Sequence, residues 1–135
     1  MTSFTLEIAT PERLLIREQV SEAQIPARQG ELGVRPEHAP LIAELGTGVL
    51  TYLADGRRRE MVVCGGVVEV LPDRTRVLAD VAEHADEVDA KRAAEAQRRA
   101  GERLTRPELG LDVARALNAL HRAQARLQAA AQQQR

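Results

Sequence analysis

Aromatic side chains make up 1% of the 135 residues, Phe4 and Tyr52 alone, and tryptophan is missing. A core must therefore be assembled from valine, leucine, isoleucine and alanine, and no stacking platform for nucleic-acid bases is available. Cys64 is the only cysteine, which excludes an internal disulfide and leaves a thiolate metal cluster without support. In an apolar strand context it reads as a small core residue. Lys91 is the only lysine, and no glycine-rich loop ends in Lys-Ser or Lys-Thr, so a phosphate loop is absent. Serine occurs only at Ser3 and Ser21, neither in a nucleophile-elbow context. His38, His84 and His121 are too widely spaced for a metal motif. No apolar run approaches the roughly 18 residues of a membrane span, and the N-terminus carries no secretory pattern. These absences point away from an enzyme, away from membrane insertion and toward a cytosolic chain.

What is present divides the chain in two. Residues 1–88 hold 9 arginines against 15 acidic residues, whereas residues 89–135 hold 10 basic against 5 acidic ones. Such asymmetry indicates two structural parts with different tasks. The first part has strand patterning. Phe4, Leu6 and Ile8 alternate with Thr5, Glu7 and Ala9, the period of a half-buried strand. Asp55-Gly56 between the apolar runs 49–53 and 61–64 marks a hairpin. Gly65-Gly66 is read as a bulge or tight turn, and Pro72-Asp73 as a turn before the run 75–79. Short strands with this punctuation predict an antiparallel β-sandwich or barrel.

From Asp89 the composition switches to alanine, arginine, glutamine and leucine, all good helix formers. Asp89 is placed to cap a helix running to about Leu104, and Gly101 is expected to fray its last turn. Residues 105–110 form a loop around Pro107. Asp112 then caps a second helix with an apolar stripe of Ala116, Leu120, Ala123, Leu127 and Ala130, widened by Val113 and Leu117. The prediction is an antiparallel two-helix hairpin: domain 1–86 a β-sandwich, domain 87–135 the hairpin. Alanine stripes remove little apolar area from water, so the hairpin is expected to open without great cost.

Antiparallel pairing brings Arg92 and Arg99 of the first helix toward Arg122 and Arg126 of the second. Converging guanidiniums repel unless an anion lies among them, and their forked donors match phosphate oxygens, so a polyphosphate is the natural guest. Glu83 and Asp89 are positioned to accept hydrogen bonds from an amino group or ribose hydroxyl. The competing interpretation is that these arginines are solvated or paired with acidic neighbours along the helix.

The segments 6–13, 30–41, 65–70 and 77–80, taken in order, resemble the epsilon subunit family of bacterial F-type ATP synthases. Gly30-Glu31-Leu32-Gly33-Val34-Arg35-Pro36-Glu37-His38 carries the most distinctive match, with Glu37 where the family commonly has glycine. The resemblance implies a β-sandwich followed by a helical hairpin and a non-catalytic place in the central stalk. Expected partners are the gamma subunit, the c-ring through Glu31 and His38, and the alpha/beta catalytic subunits through an extended hairpin. Expected localisation is peripheral, on the cytoplasmic face of the bacterial cell membrane. In some members a motif Ile/Leu-Asp-x-x-Arg-Ala binds ATP as a regulatory ligand. Val88-Asp89-x-x-Arg92-Ala93 fits it with valine at the first position, and Glu83, Arg99, Arg122 and Arg126 correspond to the further contacts. The implied role is coupling of proton transport to ATP synthesis, with ATP-sensitive inhibition of hydrolysis. Alternatives are a purely structural stalk subunit, a basic hairpin module for nucleic acid or an acidic protein, and a small ATP-using enzyme.

Overall fold

The computed structural model describes residues 2–106 and 108–133. Eight strands come first: β1 (Phe4–Ala9), β2 (Leu14–Val20), β3 (Glu22–Ala27), β4 (Gly30–Val34), β5 (Leu41–Glu44), β6 (Thr47–Ala54), β7 (Arg57–Val70) and β8 (Arg74–His84). A short 3₁₀ turn, Ala85–Glu87, leads to helices α1 (Ala90–Thr105) and α2 (Val113–Gln133). The hydrogen-bonded order is β2-β1-β8-β7-β6-β3-β4, with β5 paired to β7. All pairs are antiparallel except β1 with β8. The sheet wraps on itself as a sandwich followed by a helical hairpin, as the patterning predicts. The β6–β7 turn at Asp55-Gly56 has positive φ at both residues, 52° and 73°, the type I′ geometry that the Asp-Gly pair favours.

The core is aliphatic, as the shortage of aromatics requires. Leu6, Ile8, Ile25, Leu50, Met61, Val63, Val68 and Val70 are all fully enclosed, with Phe4 and Tyr52 among them. The Gly65-Gly66 reading needs correction. The pair is neither a turn nor a bulge; β7 runs straight through it at constant register with β8, Cys64 opposite Val81 and Gly66 opposite Ala79. What changes is the face. Before the pair, Met61 and Val63 enter the sandwich core while Val62 and Cys64 face the opposite side. After it, Val68 and Val70 face the core and Val67 is exposed. A period-two strand exchanges faces only through irregular dihedrals, here φ of 67° and 125°. A Cβ on Gly66 would lie 2.0 Å from the Leu78 carbonyl oxygen, so only glycine fits.

The face switch makes a seat for the hairpin. Val49, Val62, Cys64 and Ala85 pack against Ala125 and Ala129 of α2, with Val88 alongside. α2 therefore buries two faces. Ala116 and Ala123 are enclosed on the predicted stripe, while Ala125 and Ala129 form a second, sheet-directed strip that the stripe omits. Val113 and Leu117, expected to widen the stripe, are 55% and 40% exposed, because α1 covers only the alanine side. Both predicted caps form: Asp89 Oδ1 accepts from the Arg92 amide at 3.0 Å, and Asp112 Oδ1 from the Arg115 amide at 3.0 Å. α1 continues through Gly101 to Thr105. Pro107 lies outside the described residues.

Candidate functional site

The end of β8, the 3₁₀ turn, α1 and α2 meet around a cleft of about 360 Å³. Its lining is Glu83, Glu87, Asp89, Arg92, Ala93, Ala96, Arg99 and Arg126. Three carboxylates thus face three guanidiniums. Arg92 and Arg99 stand seven residues apart, two turns along one face of α1. Arg126 comes from α2, so the cleft is built only when the two helices pair. Ala93 and Ala96 keep the floor low, which leaves the arginines as its walls.

Six of the eight residues expected from sequence line this cleft. Val88 does not; it packs instead with the hairpin seat. Arg122 is also absent from the lining. It is half-buried and lies near enough to Cys64 to act on the thiol, together with Arg126. Glu87 and Ala96 are the cleft residues that sequence reasoning misses; of the two, Glu87 carries the charge. Its position inside a 3₁₀ turn, directly before the motif, carries no local signal.

The polar groups are unequally committed. Glu83 Oε1 accepts a hydrogen bond from Arg126 Nε at 2.6 Å, across 43 residues of sequence. Both side chains are about 70% covered, with exposures of 27% and 30%. Asp89 uses Oδ1 as the α1 cap. Among the described residues Arg99 has only a 4.0 Å contact with Glu95, and Arg92 is exposed. Two guanidiniums therefore stand available to a phosphate, beside a third held in place. Burial pushes the Cys64 thiol pKa up, with Arg126 and Arg122 acting in the opposite direction.

The two residues expected to meet a ring partner lie elsewhere. Glu31 is exposed on β4, and His38 is half-buried in the following loop. His38 Nδ1 is 2.7 Å from the Ala39 carbonyl oxygen, and its ring lines a shallow pocket with Glu22, Gln24 and Arg35 that does not include Glu31. The loop is tied to the β7–β8 turn by the Glu37 amide donating to the Pro72 carbonyl at 2.8 Å. Glu37 has φ of 65°, in the left-handed region that favours glycine.

A third feature has no counterpart in the sequence reading. Strand register aligns Val67 with Leu78, Leu78 with Ala9 and Ala9 with Leu14. The outward side chains Val67, Leu78 and Leu14 are 43%, 54% and 47% exposed, and Ile42 on neighbouring β5 is 72% exposed. This apolar row crosses the outer sheet face. Beside it Glu7 receives Arg17 at 3.7 Å and Arg76 at 3.6 Å. An exposed apolar patch rimmed by charge is a docking signature.

The family model for the ATP synthase delta/epsilon chain β-sandwich domain matches residues 3–85, and that for the long α-helix domain matches residues 86–131. The chain belongs to the ATP synthase delta/epsilon family. The ATP synthase epsilon chain of Solibacter usitatus is 57% identical over 122 residues, covering 90% of this chain and 91% of that one. That of Moorella thermoacetica is 49% identical over 131 residues, covering 96% and 98%. Among solved structures, a chain of the Euglena gracilis mitochondrial ATP synthase, OSCP/F1/c-ring, superposes with a TM-score of 0.84 at 22% identity, covering 97% of this chain and 82% of that chain. A chain from the Tetrahymena thermophila mitochondrial ATP synthase central stalk/c-ring has a TM-score of 0.58 at 13% identity, covering 98% and 96%. These two likenesses show the fold alone, over nearly the whole of this chain.

Proposed function

We propose that this chain is the epsilon subunit of an F-type ATP synthase, a non-catalytic part of the rotor whose hairpin senses ATP. The observation that carries the sensing is the cleft. Arg92 and Arg99 on one helix and Arg126 on the other share it with Glu83 of the sandwich, so a ligand there touches all three parts. A triphosphate offers oxygens to the guanidiniums, and the carboxylates can accept from an amino group or ribose hydroxyl. Binding that requires all three walls favours the docked hairpin over an extended one by differential affinity.

When ATP is scarce the hairpin is released, and its basic helices meet acidic surface on the alpha/beta catalytic subunits and halt hydrolysis. The apolar row through Val67, Leu78 and Leu14 supports docking of the sandwich on the gamma subunit. Glu31 and His38 face the c-ring at another edge, and the subunit couples proton transport to ATP synthesis. It sits peripherally at the cytoplasmic face of the membrane. No described helix is long and apolar enough to cross a membrane.

Calorimetric titration of the isolated protein with ATP, with ADP and GTP as controls, tests the sensing. Saturable one-to-one binding that weakens in Arg92→Ala and Arg126→Ala is the expected result. Unchanged affinity in both variants would refute the site. In the assembled enzyme, truncation after Glu87 should raise ATP hydrolysis. A purely structural stalk subunit predicts no change in either experiment.

A further inference from the structure

The helices are not attached to the sandwich in the same way. α1 packs on α2 through an alanine seam, and its ion pairs among the described residues stay within the helix, Arg98 with Glu102 at 2.9 Å and Arg99 with Glu95 at 4.0 Å. Among the described residues α2 is the helix that packs on the sheet, against β6 and β7. Its apolar contact there is two alanine methyls, Ala125 and Ala129, against Val49, Val62, Cys64 and Ala85. Such small groups bury little area and hold weakly.

Polar contacts supplement this strip. Arg126 Nε to Glu83 Oε1, at 2.6 Å, is the shortest ion pair among the described residues. Near the end of α2 the Gln132 amide faces the Glu60 carboxylate of β7. Glu83 stands opposite Val62 in the register, so its carboxylate rises beside the seat itself. Arg126 follows Ala125 directly, at the edge of the sheet-directed strip.

We propose that Glu83 is a positioning residue: acting through Arg126, it clasps α2 to the sandwich and keeps the hairpin docked without needing a ligand. The chemistry is that of a partly covered charge-assisted hydrogen bond, stronger than an exposed pair because water screens it less. The bond uses Nε–H, which leaves the N–H groups on the two terminal nitrogens of the guanidinium for an anion. Glu83 therefore presents Arg126 to the cleft and resists hairpin release at once. This refines the role that the ATP-sensing reading gives Glu83, from ligand contact to support of a ligand contact. The clasp itself contains no ligand and can be tested apart from that reading.

The test is a double-mutant cycle on the full-length chain in nucleotide-free buffer, with Cys64 as reporter. It is the only thiol in the sequence and is 7% exposed, covered by α2, so iodoacetamide reads lifting of that helix. Glu83→Ala and Arg126→Ala should each speed alkylation about ten-fold, and the double variant should be no faster than the faster single one. Glu83→Gln keeps an acceptor without the charge and should fall between wild type and Glu83→Ala. Arg126 lowers the thiol pKa and Glu83 raises it, so loss of Arg126 slows alkylation through ionisation and loss of Glu83 speeds it; rates are therefore compared per thiolate, with each variant's thiol pKa taken from its own pH–rate profile. The denaturation midpoint of the sandwich, followed by circular dichroism, separates α2 lifting from general unfolding. If Glu83→Ala is poorly folded, Glu83→Gln with Arg126→Lys completes the cycle. Wild-type alkylation in the Glu83 variants, or single effects that multiply in the double variant, would overturn the clasp. Added ATP that fails to slow wild-type alkylation would refute nucleotide sensing and leave the clasp standing.

Discussion

Replacing Gly66 with alanine tests the claim that one dipeptide makes the hairpin seat. Three glycines grade the effect. Gly56 has φ of 73°, and a methyl added there would meet nothing within 4 Å. Its alanine variant pays only the left-handed backbone cost, about 1–2 kcal/mol, less about 0.4–1 kcal/mol returned through a stiffer unfolded chain. Gly65 has φ of 67° and a methyl there would lie 2.7 Å from Asp80 Oδ2. That is a side-chain atom that can rotate aside, so its cost should be only modestly higher. Gly66 has φ of 125°, and its methyl would meet the Leu78 carbonyl oxygen at 2.0 Å and the Ala79 Cα at 3.0 Å. Those are backbone atoms of the paired strand, and relief requires breaking the β7–β8 ladder. The expected loss exceeds about 4 kcal/mol, a large part of a domain's usual 5–15 kcal/mol. Urea denaturation followed by circular dichroism should therefore rank the midpoints as Gly56→Ala above Gly65→Ala above Gly66→Ala. In mildly destabilised Gly65→Ala, Cys64 alkylation should rise before the sandwich melts, because the face switch also aims Val62 and Cys64 at α2. Equal midpoints for Gly56→Ala and Gly66→Ala would refute the steric argument.

Other positions give independent tests. Thr75 is fully buried and its hydroxyl has no partner among the described residues; Thr75→Val should raise stability by about 1 kcal/mol, read as a higher urea midpoint. Ala129→Leu forces a larger side chain into a seat made for a methyl and should lift α2, so Cys64 alkylation should accelerate while β-sheet dichroism is retained. The Cys64 thiol pKa is raised by burial above its ordinary value of 9.0, so the folded chain keeps its proton longer than the unfolded one. That stabilising difference is full below about pH 9 and fades as pH rises through the folded value. Stability measured between about pH 8 and 11 should fall more steeply in the wild type than in Cys64→Val.

Much of the architecture rests on interactions spanning a few residues, and these are legible in sequence. Asp89 and Asp112 cap their helices through amides three positions on. Asp55-Gly56 turns its hairpin because both residues accept positive φ. The charge contrast between the halves follows the division into sheet and helices. The arginine convergence is legible too, since a two-turn spacing on α1 and an antiparallel partner leave few other arrangements. The cleft residues Glu83, Asp89, Arg92, Ala93, Arg99 and Arg126 therefore meet as expected, while Val88 and Arg122 are drawn off its lining by the packing of α2.

Where a property depends on which distant backbone lies alongside, sequence is silent. Gly65-Gly66 looks like an interruption in one dimension; only the neighbouring β8 carbonyl reveals a straight strand that exchanges faces. Ala125 and Ala129 look like two more alanines in a helix until the sheet makes them a second buried strip. The apolar row joins Leu14, Val67 and Leu78 from three strands through register alone. Glu83 and Arg126 are 43 residues apart, and no periodicity links them. Local propensity determined which segments became strands, turns and helices, because its causes act within a turn or two of chain. The seat, the clasp and the cleft were decided by tertiary packing, because each needs side chains from elements whose relative placement no local rule specifies.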